Sequence, residues 1–457
     1  MFPKFLNRNN LLYIIILGAG DVGYNLAKLL CYEKHDIVII EPDAIRARRA
    51  RENLDVQVME GTGSSPSDLE RAGIKKADMI VAVSNNDEVN LLACLIATHY
   101  HVPTKIARVK NREFTRDDCA LNAKMLGIDL IIHPESEVAD AVVNLLKLSA
   151  ATDILEFAEG KILLLGIQLD KRCEILGQSL AEVAKTFGGM TFRTVAIQRR
   201  DRTIVPRGED VFMNNDRVYV TTQRENIPDV LRLAGRENVR MENVMILGGG
   251  QTGTEIADRL EDEINVKIID SNVDQTNILA DKLQKSLVIR GDGRDINLLA
   301  LEGIIDMDAF IAVTGDDETN IISSLVAKHL EVPRIISLIN KTDYTPIIST
   351  IGIDAFVSKQ IVTVDQILKF IRRGSIISVA SIPGISAEVI EYVAQENAKI
   401  IKKPLREIHF PKGALLGAVV RGEEFFIPVG DSQLQAGDKV VVFSLPTAIK
   451  EVEKLFN

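Results

Sequence analysis

Short apolar runs alternate with helical patterns through the N-terminal third of the chain. Strand-like runs fall near residues 13–18, 36–41, 56–59, 78–83, 105–109 and 129–132, and helical patterns separate them. A parallel sheet with crossover helices on both faces buries its strands completely, so its strands are almost wholly apolar. Six strands in this order predict a doubly wound dinucleotide-binding domain of the Rossmann type.

The same pattern returns in the second half of the chain. The segment YIIILGAGDVGYNLAKLL beginning at Tyr13 matches NVMILGGGQTGTEIADRL beginning at Asn243, and the match continues for about a hundred residues. It includes DIVIIEPD against NVKIIDSN, and SNNDEVN against TGDDETN. A match of this length predicts a duplicated Rossmann domain.

A smaller segment with short alternating strands follows each copy. Its turn residues are repeated, because Pro206, Gly208 and Asp216 match Pro428, Gly430 and Asp438. The predicted fold class is α/β, with two doubly wound parallel-sheet domains, each followed by a small α+β domain. The predicted order is an extension at 1–12, a Rossmann domain at 13–134, a linker helix at 135–152, a small domain at 153–236, a Rossmann domain at 241–358, a linker helix at 359–374 and a small domain at 375–457.

A glycine-rich turn stands between the first strand and the first helix of each copy. In the first copy Gly18 permits a tight turn, Gly20 lets the backbone approach a pyrophosphate, and Gly23 allows close packing of helix and strand. The helix start then holds the phosphates through its free N–H groups and its partial positive charge. The second copy keeps the three glycines as Gly248, Gly250 and Gly253.

An acidic residue ends the second strand of each copy. Glu41 and Asp270 stand where a carboxylate accepts hydrogen bonds from ribose hydroxyls, which favours NAD(H) over NADP(H). The basic run RARRAR after Glu41 offers an alternative, a clamp for a 2′-phosphate, but Glu41 opposes it and a solvated helix face explains the run better.

The two copies differ at the mouth of the predicted crevice. Ser84 and Asn85 end the fourth strand of the first copy, where the second copy has Thr314 and Gly315. Arg108 ends the fifth strand and becomes Leu338. An arginine at this end of a strand faces the ligand crevice and can offset phosphate charge, although a surface salt bridge is the alternative. The first crevice is therefore predicted to be the principal site.

Composition excludes several classes of protein. The net charge of −10 argues against nucleic-acid binding, and the four cysteines, Cys31, Cys94, Cys119 and Cys173, lack metal-ligand spacing. The N-terminal 20 residues imitate a secretory signal, but the same apolar strand recurs inside the chain, so we expect a buried strand there. No apolar stretch approaches the length of a transmembrane helix.

Catalytic residues are not apparent. A dehydrogenase needs a proton donor or acceptor beside the nicotinamide, and the two small domains share no His, Cys or Tyr/Lys constellation. Duplicated binding without duplicated catalysis favours a sensor over an enzyme. An NAD-dependent oxidoreductase and a regulator of another cation transporter stay open as alternatives.

The order of these motifs resembles the RCK (KTN) family, whose members regulate potassium conductance, in the tandem form found in peripheral subunits of bacterial Trk potassium uptake systems. The resemblance rests on ILGAGDVG, the acid after the second strand, GTGSSPSDLERAGIKKADMIVAVSNNDEVN, IARV and the duplication. RRGSIIS at residues 372–378 also resembles the second half of that family. The family more commonly carries aspartate where Glu41 stands, and residues 1–12 precede its usual start.

This resemblance implies a cytoplasmic, non-enzymatic homotetramer, peripheral on the inner face of the plasma membrane. Its eight Rossmann units would form a ring beneath an integral membrane potassium channel subunit of the TrkH type. NAD(H) is the implied ligand, with ATP or ADP possible at the same sites. The complete set of predicted nucleotide-binding residues is Gly18, Ala19, Gly20, Asp21, Val22, Gly23, Glu41, Thr62, Ser84, Asn85 and Arg108 in the first copy, and Gly248, Gly249, Gly250, Gln251, Thr252, Gly253, Asp270, Asp292 and Thr314 in the second.

Overall fold

The structure is a computed structural model that describes residues 11–456, apart from 33–34, 116–121, 123–124, 187–191, 201, 236–238, 345–347, 349–350, 372–375, 383–384 and 386. Cys119, most of the predicted extension at 1–12 and the first half of RRGSIIS lie outside the described residues.

The first large domain contains one six-stranded parallel sheet with the strand order β3-β2-β1-β4-β5-β6. Its strands are β1 (Tyr13–Leu17), β2 (Asp36–Glu41), β3 (Gln57–Glu60), β4 (Met79–Ala82), β5 (Thr104–Arg108) and β6 (Leu130–Ile132). Its helices are α1 (Asp21–Tyr32), α2 (Ala44–Asn53), α3 (Pro66–Arg71) and α4 (Asp87–His99), and α5 (Pro134–Lys147) follows the sheet.

Burial on both faces explains the apolar strands of this sheet. Ile14, Ile15 and Ile16 of the central strand β1 are fully buried, with helices on either side of the sheet. Side chains at the loop ends start the helices, since Asp43 accepts the N–H of Arg46 and Asn86 accepts that of Val89.

The second large domain repeats this sheet with the order β14-β13-β12-β15-β16-β17. Its strands are β12 (Asn243–Leu247), β13 (Asn265–Asp270), β14 (Leu287–Arg290), β15 (Ala309–Ala312), β16 (Arg334–Leu338) and β17 (Ala355–Val357). Its helices are α8 (Gln251–Leu260), α9 (Val273–Lys282), α10 (Ile296–Leu301) and α11 (Asp317–His329), and α12 (Lys359–Ile371) follows.

Each small domain is an antiparallel sheet with short helices. The first comprises β7 (Asp153–Phe157), β8 (Ile162–Gln168), α6 (Leu180–Thr186), β9 (Phe192–Arg199), β10 (Arg202–Ile204), β11 (Arg217–Thr222) and α7 (Ile227–Leu233). The second comprises β18 (Ile376–Ser381), β19 (Glu388–Val393), β20 (Ala414–Arg421), β21 (Glu424–Phe426), β22 (Lys439–Ser444) and α13 (Ile449–Phe456). The two sheets share one apolar core.

The repeated turn residues of the small domains have a structural role. The buried Asp216 accepts two hydrogen bonds from Arg199, at 2.8 and 2.7 Å, and Asp438 accepts the same pair from Arg421. Asn215, directly before Asp216, has φ of 68°, a conformation that asparagine tolerates in turns. The duplication therefore preserves a bidentate ion pair that closes each small sheet.

The chain forms two compact units. Each unit contains most of the helix that follows the Rossmann sheet of the other. One contains residues 1–137 with 360–374, and the other contains residues 138–359 with 375–457. In the first unit Asn25 of α1 donates to Gln360 of α12 at 3.3 Å, and Gln366 donates to Glu137 at 2.8 Å. In the second unit Arg259 of α8 lies 3.2 Å from Asp140 of α5. The helix that follows each Rossmann sheet in sequence thus belongs mainly to the other unit.

The predicted fold class is confirmed, with two parallel-sheet domains each followed by an antiparallel one. Across the described part of the chain, no helix is both long and apolar enough to cross a bilayer.

Candidate nucleotide-binding site

The backbone of each glycine turn requires glycine at two of its three positions and leaves open space at the third. Gly18 has φ of +98° and Gly248 has φ of +105°, a conformation that other residues rarely adopt. A Cβ at Gly23 would collide with the carbonyl oxygen of Gly18, and Gly253 has the same relation to Gly248. A Cβ at Gly20 or Gly250 would point into open space. These are the geometries expected for the turn, the helix contact and the ligand approach.

The helix after each turn offers backbone N–H groups rather than side chains. Val22 is 7% exposed and Thr252 is 3% exposed, whereas Asp21 is exposed to solvent. Gly250 provides no side-chain cap for α8, so the first N–H groups of this helix are not satisfied by its N-cap. An anion bound at this point would accept hydrogen bonds from these N–H groups.

The acid at the end of the second strand holds the glycine turn. Glu41 is 3% exposed and accepts the N–H of Ala19 at 2.5 Å and of Asp43 at 3.0 Å. Asp270 accepts the N–H of Gly249 at 2.7 Å and of Asn272 at 2.8 Å. The carboxylates therefore brace both turns, a role that the sequence did not indicate.

The predicted contacts after the third strand differ in chemistry. The N–H of Thr62 donates to Asp68 at 3.0 Å, and its hydroxyl lies 2.9 Å from that of Ser64. Asp292 accepts hydrogen bonds from Nε and Nη2 of Arg294, which lower the pKa of that carboxyl below its usual value. Where the first copy has hydroxyls, the second has an ion pair.

A buried asparagine ties the fourth strand to the fifth in each copy. Asn90 is fully buried, accepts the N–H and hydroxyl of Ser84 at 3.0 and 2.7 Å, and donates to the carbonyl of Arg108 at 2.8 Å. Asn320 makes the corresponding bonds to Thr314 and Leu338. The hydroxyls of Ser84 and Thr314 are thus bonded inside the protein.

The two residues that distinguish the first copy contact each other. Arg108 donates from Nη1 to the side-chain oxygen of Asn85 at 3.0 Å. The Nε atom of Arg108 is buried and has no hydrogen-bond partner among the described residues. In the second copy Leu338 is 1% exposed, and the position of Asn85 is Gly315. The first crevice therefore has a guanidinium at the end of its fifth strand, where the second has an apolar side chain.

Four of the predicted residues of the second copy line a single cavity of 230 Å³, namely Gly248, Asp270, Asp292 and Thr314. Asp316 and Arg294 also line it, so carboxylates outnumber cations. The volume is below the range of about 300–1,000 Å³ that is usual for ligand pockets. The carbonyl of Gly249 accepts hydrogen bonds from Gln275 at 2.5 Å and from Thr254 at 3.0 Å. These bonds hold the second glycine turn in addition to the bond from Gly249 to Asp270.

The basic run on α2 forms contacts on the helix surface. Arg48 pairs with Glu52 at 2.7 Å with both side chains more than half exposed, and the Arg49 guanidinium lies 4.5 Å from the ring centre of Tyr24. Within the described ranges, no three His, Cys, Asp or Glu side chains gather as metal ligands.

The sequence did not reveal Asn90, Asn320, Thr254 or Gln275 as part of the site. A signal existed for the two asparagines, because each closes the matched segments SNNDEVN and TGDDETN. For Thr254 and Gln275 no signal existed, since the first copy has Tyr24 and Arg46 in their places.

The fold and the two glycine turns define a protein with two Rossmann-type nucleotide-binding domains, each paired with a small antiparallel domain. The family model for the TrkA-N domain matches residues 14–134 and 244–359, and the model for the TrkA-C domain matches residues 164–235 and 389–457. The chain belongs to the family of Trk system potassium uptake proteins TrkA.

Similarity to relatives extends along the whole chain. The protein named Trk system potassium uptake protein TrkA from Halomonas elongata is 36% identical over 97% of this chain and 98% of its own length. A TrkA homolog 1 from Methanosarcina mazei is 37% identical over 97% and 99%, and TrkA from Azorhizobium caulinodans is 34% identical over 97% and 98%.

Solved structures share the fold at low sequence identity. The GsuK RCK domain covers 99% of this chain and 96% of its own, with a TM-score of 0.58 and 18% identity. The GsuK channel bound to NAD covers 99% and 80%, with a TM-score of 0.59 and 19% identity. A GsuK structure bound to ADP covers 80% and 71%, with a TM-score of 0.51 and 16% identity.

Proposed function

We propose that this protein is a nucleotide-sensing regulatory subunit that gates a membrane potassium channel subunit of the TrkH type. It binds NAD(H), with ATP or ADP at the same crevice, and acts at the cytoplasmic face of the plasma membrane. Membership of the TrkA family and the NAD-bound and ADP-bound relatives of the fold support the proposal. The observation that carries it is the first crevice, where Arg108 at the end of β5 and an intact glycine turn after β1 stand at the same carboxyl edge of the sheet.

The first crevice has groups suited to the phosphates and to a ribose of an adenine dinucleotide. The N–H groups at the start of α1, with open space beside Gly20, suit the pyrophosphate. The carboxylate of Glu41 suits ribose hydroxyls, and the Arg108 guanidinium, aligned by Asn85, suits phosphate charge. Arg108 Nε has no acceptor among the described residues, and a ligand phosphate toward which the guanidinium turned would supply one.

The second crevice is proposed as the weaker site. Its cavity of 230 Å³ contains Asp270, Asp292 and Asp316 against the single cation Arg294. This charge balance opposes a diphosphate more strongly than the first crevice does. Both crevices keep the turn and the ribose acid, so the proposed difference is one of affinity.

Binding rather than turnover is the proposed output. The repeated ionic pair of the small domains, Arg199 with Asp216, is engaged in closing the sheet, and Asp216 is 1% exposed. A nucleotide that binds one arrangement of the domains more tightly shifts the population toward it, and this shift gates the channel. A nucleotide with equal affinity for both arrangements has no effect.

Assembly into a homotetrameric ring of eight Rossmann units is proposed from a duplicated surface. Leu92 and Leu95 on α4 are 41% and 45% exposed, and their counterparts Ile322 and Leu325 on α11 are 49% and 37% exposed. Apolar residues that both copies keep at the surface of the same helix are suited to contacts between chains.

The test converts the first crevice into the second. The double substitution N85G/R108L introduces the residues that the second copy carries at the same positions, where the fold accepts them. We expect NADH to bind the full-length variant at least about tenfold more weakly in isothermal titration, because a charge-assisted contact is lost. R406A, which removes an exposed arginine paired with Asp431, serves as the control.

Potassium flux through the co-purified channel subunit in vesicles tests the output. Flux through the wild-type complex should respond to NADH, ATP or ADP, and the N85G/R108L complex should need higher nucleotide concentrations. Equal titration curves and equal flux responses for the two proteins would contradict the proposal. Steady NAD+ reduction with a 2-hydroxy acid or an alcohol, or steady NADH oxidation with an aldehyde, would favour the oxidoreductase instead.

A further inference from the structure

A cavity of 710 Å³ lies within the second unit, and no residue of either glycine turn lines it. Three parts of the chain surround it. Ser149 follows α5, Arg172 and Arg232 belong to the first small domain, and Asp308 and Arg334 belong to the second Rossmann domain. The volume is in the range of pockets that hold small molecules.

The cavity is at the opposite edge of the sheet from the nucleotide crevice. Arg334 is the first residue of β16 and Asp308 immediately precedes β15, so both stand at the amino edge of the parallel sheet. Leu338 ends β16 at the carboxyl edge, where Rossmann domains bind nucleotides. A five-residue strand places these edges roughly 15 Å apart.

Positive charge predominates in this cavity although the chain as a whole has a net charge of −10. Its lining contains three arginines and one aspartate. The carboxylate of Asp308 is engaged with the protein, since one of its oxygens accepts the N–H groups of Glu242 and Asn243 at 2.8 Å each. The lining therefore favours an anion toward which Arg172 and Arg232 turn from their partners Asp170 and Asp229.

Two of the arginines are available to change partners. Arg172 pairs with Asp170 at 2.8 Å and Arg232 pairs with Asp229 at 2.5 Å, and the arginine side chains are 70% and 71% exposed. Exposed ion pairs are weak in water. A multiply charged anion can therefore draw both guanidinium groups away from these carboxylates.

The third arginine links two parts of the chain. Arg334 is 5% exposed and donates from Nη2 to the carbonyls of Leu145 and Ala151, at 3.4 and 2.5 Å. In the first Rossmann domain the corresponding strand, β5, begins with Thr104. Thr104 pairs with Met79 of β4 in the same register in which Arg334 pairs with Ala309 of β15. The strand therefore does not itself require an arginine at this position.

We propose that this cavity is a binding site for a small phosphorylated anion, held by Arg172 and Arg232 on one side and by Arg334 on the other. Planar guanidinium groups bind phosphate oxygens through paired hydrogen bonds. Because the arginines belong to the first small domain and the second Rossmann domain, a bound anion favours the arrangement in which these two domains are close. The site goes beyond the proposed function, as it is separate from both nucleotide crevices.

Isothermal titration of the full chain with tripolyphosphate tests the proposal, since this probe has neither base nor ribose. All titrations use the G20V/G250V background, in which side chains occupy the open space beside both glycine turns. We expect the background protein to bind the probe and the added R172A/R232A pair to weaken binding at least about tenfold. R334T, which introduces the residue of the first copy, should also weaken it.

The control is R406A in the same background, which removes one exposed arginine and should leave the affinity unchanged. Circular dichroism of each variant shows whether it is folded, and Arg172 and Arg232 are exposed enough for their removal to leave the core intact. No measurable binding to the background protein would refute the proposal. So would equal affinities of the R172A/R232A and R406A variants.

Discussion

Substitution of Glu41 separates binding of the ribose from support of the glycine turn. Its carboxylate is 3% exposed and already accepts the N–H groups of Ala19 and Asp43. An ionised carboxylate has about four lone-pair positions, so two remain for ribose hydroxyls. Glu41→Ala removes both sets of bonds, and Glu41→Gln keeps the volume and one amide oxygen.

The expected magnitude follows from these contacts. A hydrogen bond to a charged group contributes about 1.5–3 kcal/mol. Loss of one ribose bond therefore weakens NADH binding by about 10- to 150-fold. Glu41→Ala also leaves the N–H groups of Ala19 and Asp43 without their acceptor, which lowers the free energy of unfolding by about 1–3 kcal/mol for each group that stays buried.

Isothermal titration with NADH and urea unfolding, on the same preparations, distinguish the two effects. Glu41→Gln should lose affinity with a smaller loss of stability than Glu41→Ala. Asp270→Asn is the matched change in the second copy, and it should affect NADH binding less because that crevice is the proposed weaker site. A loss of stability with an unchanged NADH Kd in both Glu41 variants would show that the acid only supports the turn.

Asn90→Ala should lower the free energy of unfolding by about 2–4 kcal/mol in urea, because several buried bonds lose their partner. The pKa of Glu318 is lowered from 4.5 to about 2, chiefly by its hydrogen bond from Lys341, so its stabilising contribution is present above pH 4.5 and lost as the pH falls toward 2. An NMR titration should show this low midpoint. Aspartate at Leu92 and Leu95 should reduce the assembled mass in light scattering, since it places charge on the proposed contact surface.

Each of these three predictions has a matched control. Asn320→Ala should destabilise the second domain similarly, and wild-type stability of Asn90→Ala would contradict the role of the buried asparagine. Lys341→Ala should return the Glu318 pKa toward its usual value, whereas an unchanged midpoint would refute the assigned cause. Ile45→Asp replaces an apolar residue that is 81% exposed and has Asp274 as its counterpart, so it should leave the assembled mass unchanged.

Much of the fold was predictable because the signals are local. The six strand positions of the first copy agree with the sheet to within one residue at most ends, since a buried parallel strand must be apolar throughout. The conformation of Gly18 was predictable for a similar reason, because a tight turn at positive φ excludes most other residues. Capping residues such as Asn86 bond to an N–H group three residues later, so they can also be recognised in the sequence.

The site was only partly predictable. The difference between Arg108 and Leu338 was visible by comparing the two copies, but the bond from Arg108 to Asn85 spans residues on different strand ends. The engagement of Glu41 with Ala19 likewise depends on the parallel register of β1 and β2. Pairings of this kind arise from the packing of distant segments, so no local sequence pattern indicates them.

The amino-acid sequence by itself determined the duplicated Rossmann domains, the glycine turns and the acids Glu41 and Asp270, because periodicity and backbone sterics act within a few residues. Only the tertiary structure decided which unit each linker helix joins, how Asn90 and Asn320 are satisfied, and that Arg172, Arg232 and Arg334 line one cavity. Those outcomes depend on contacts between residues far apart in the chain, and such contacts exist only after the sheets and helices have packed.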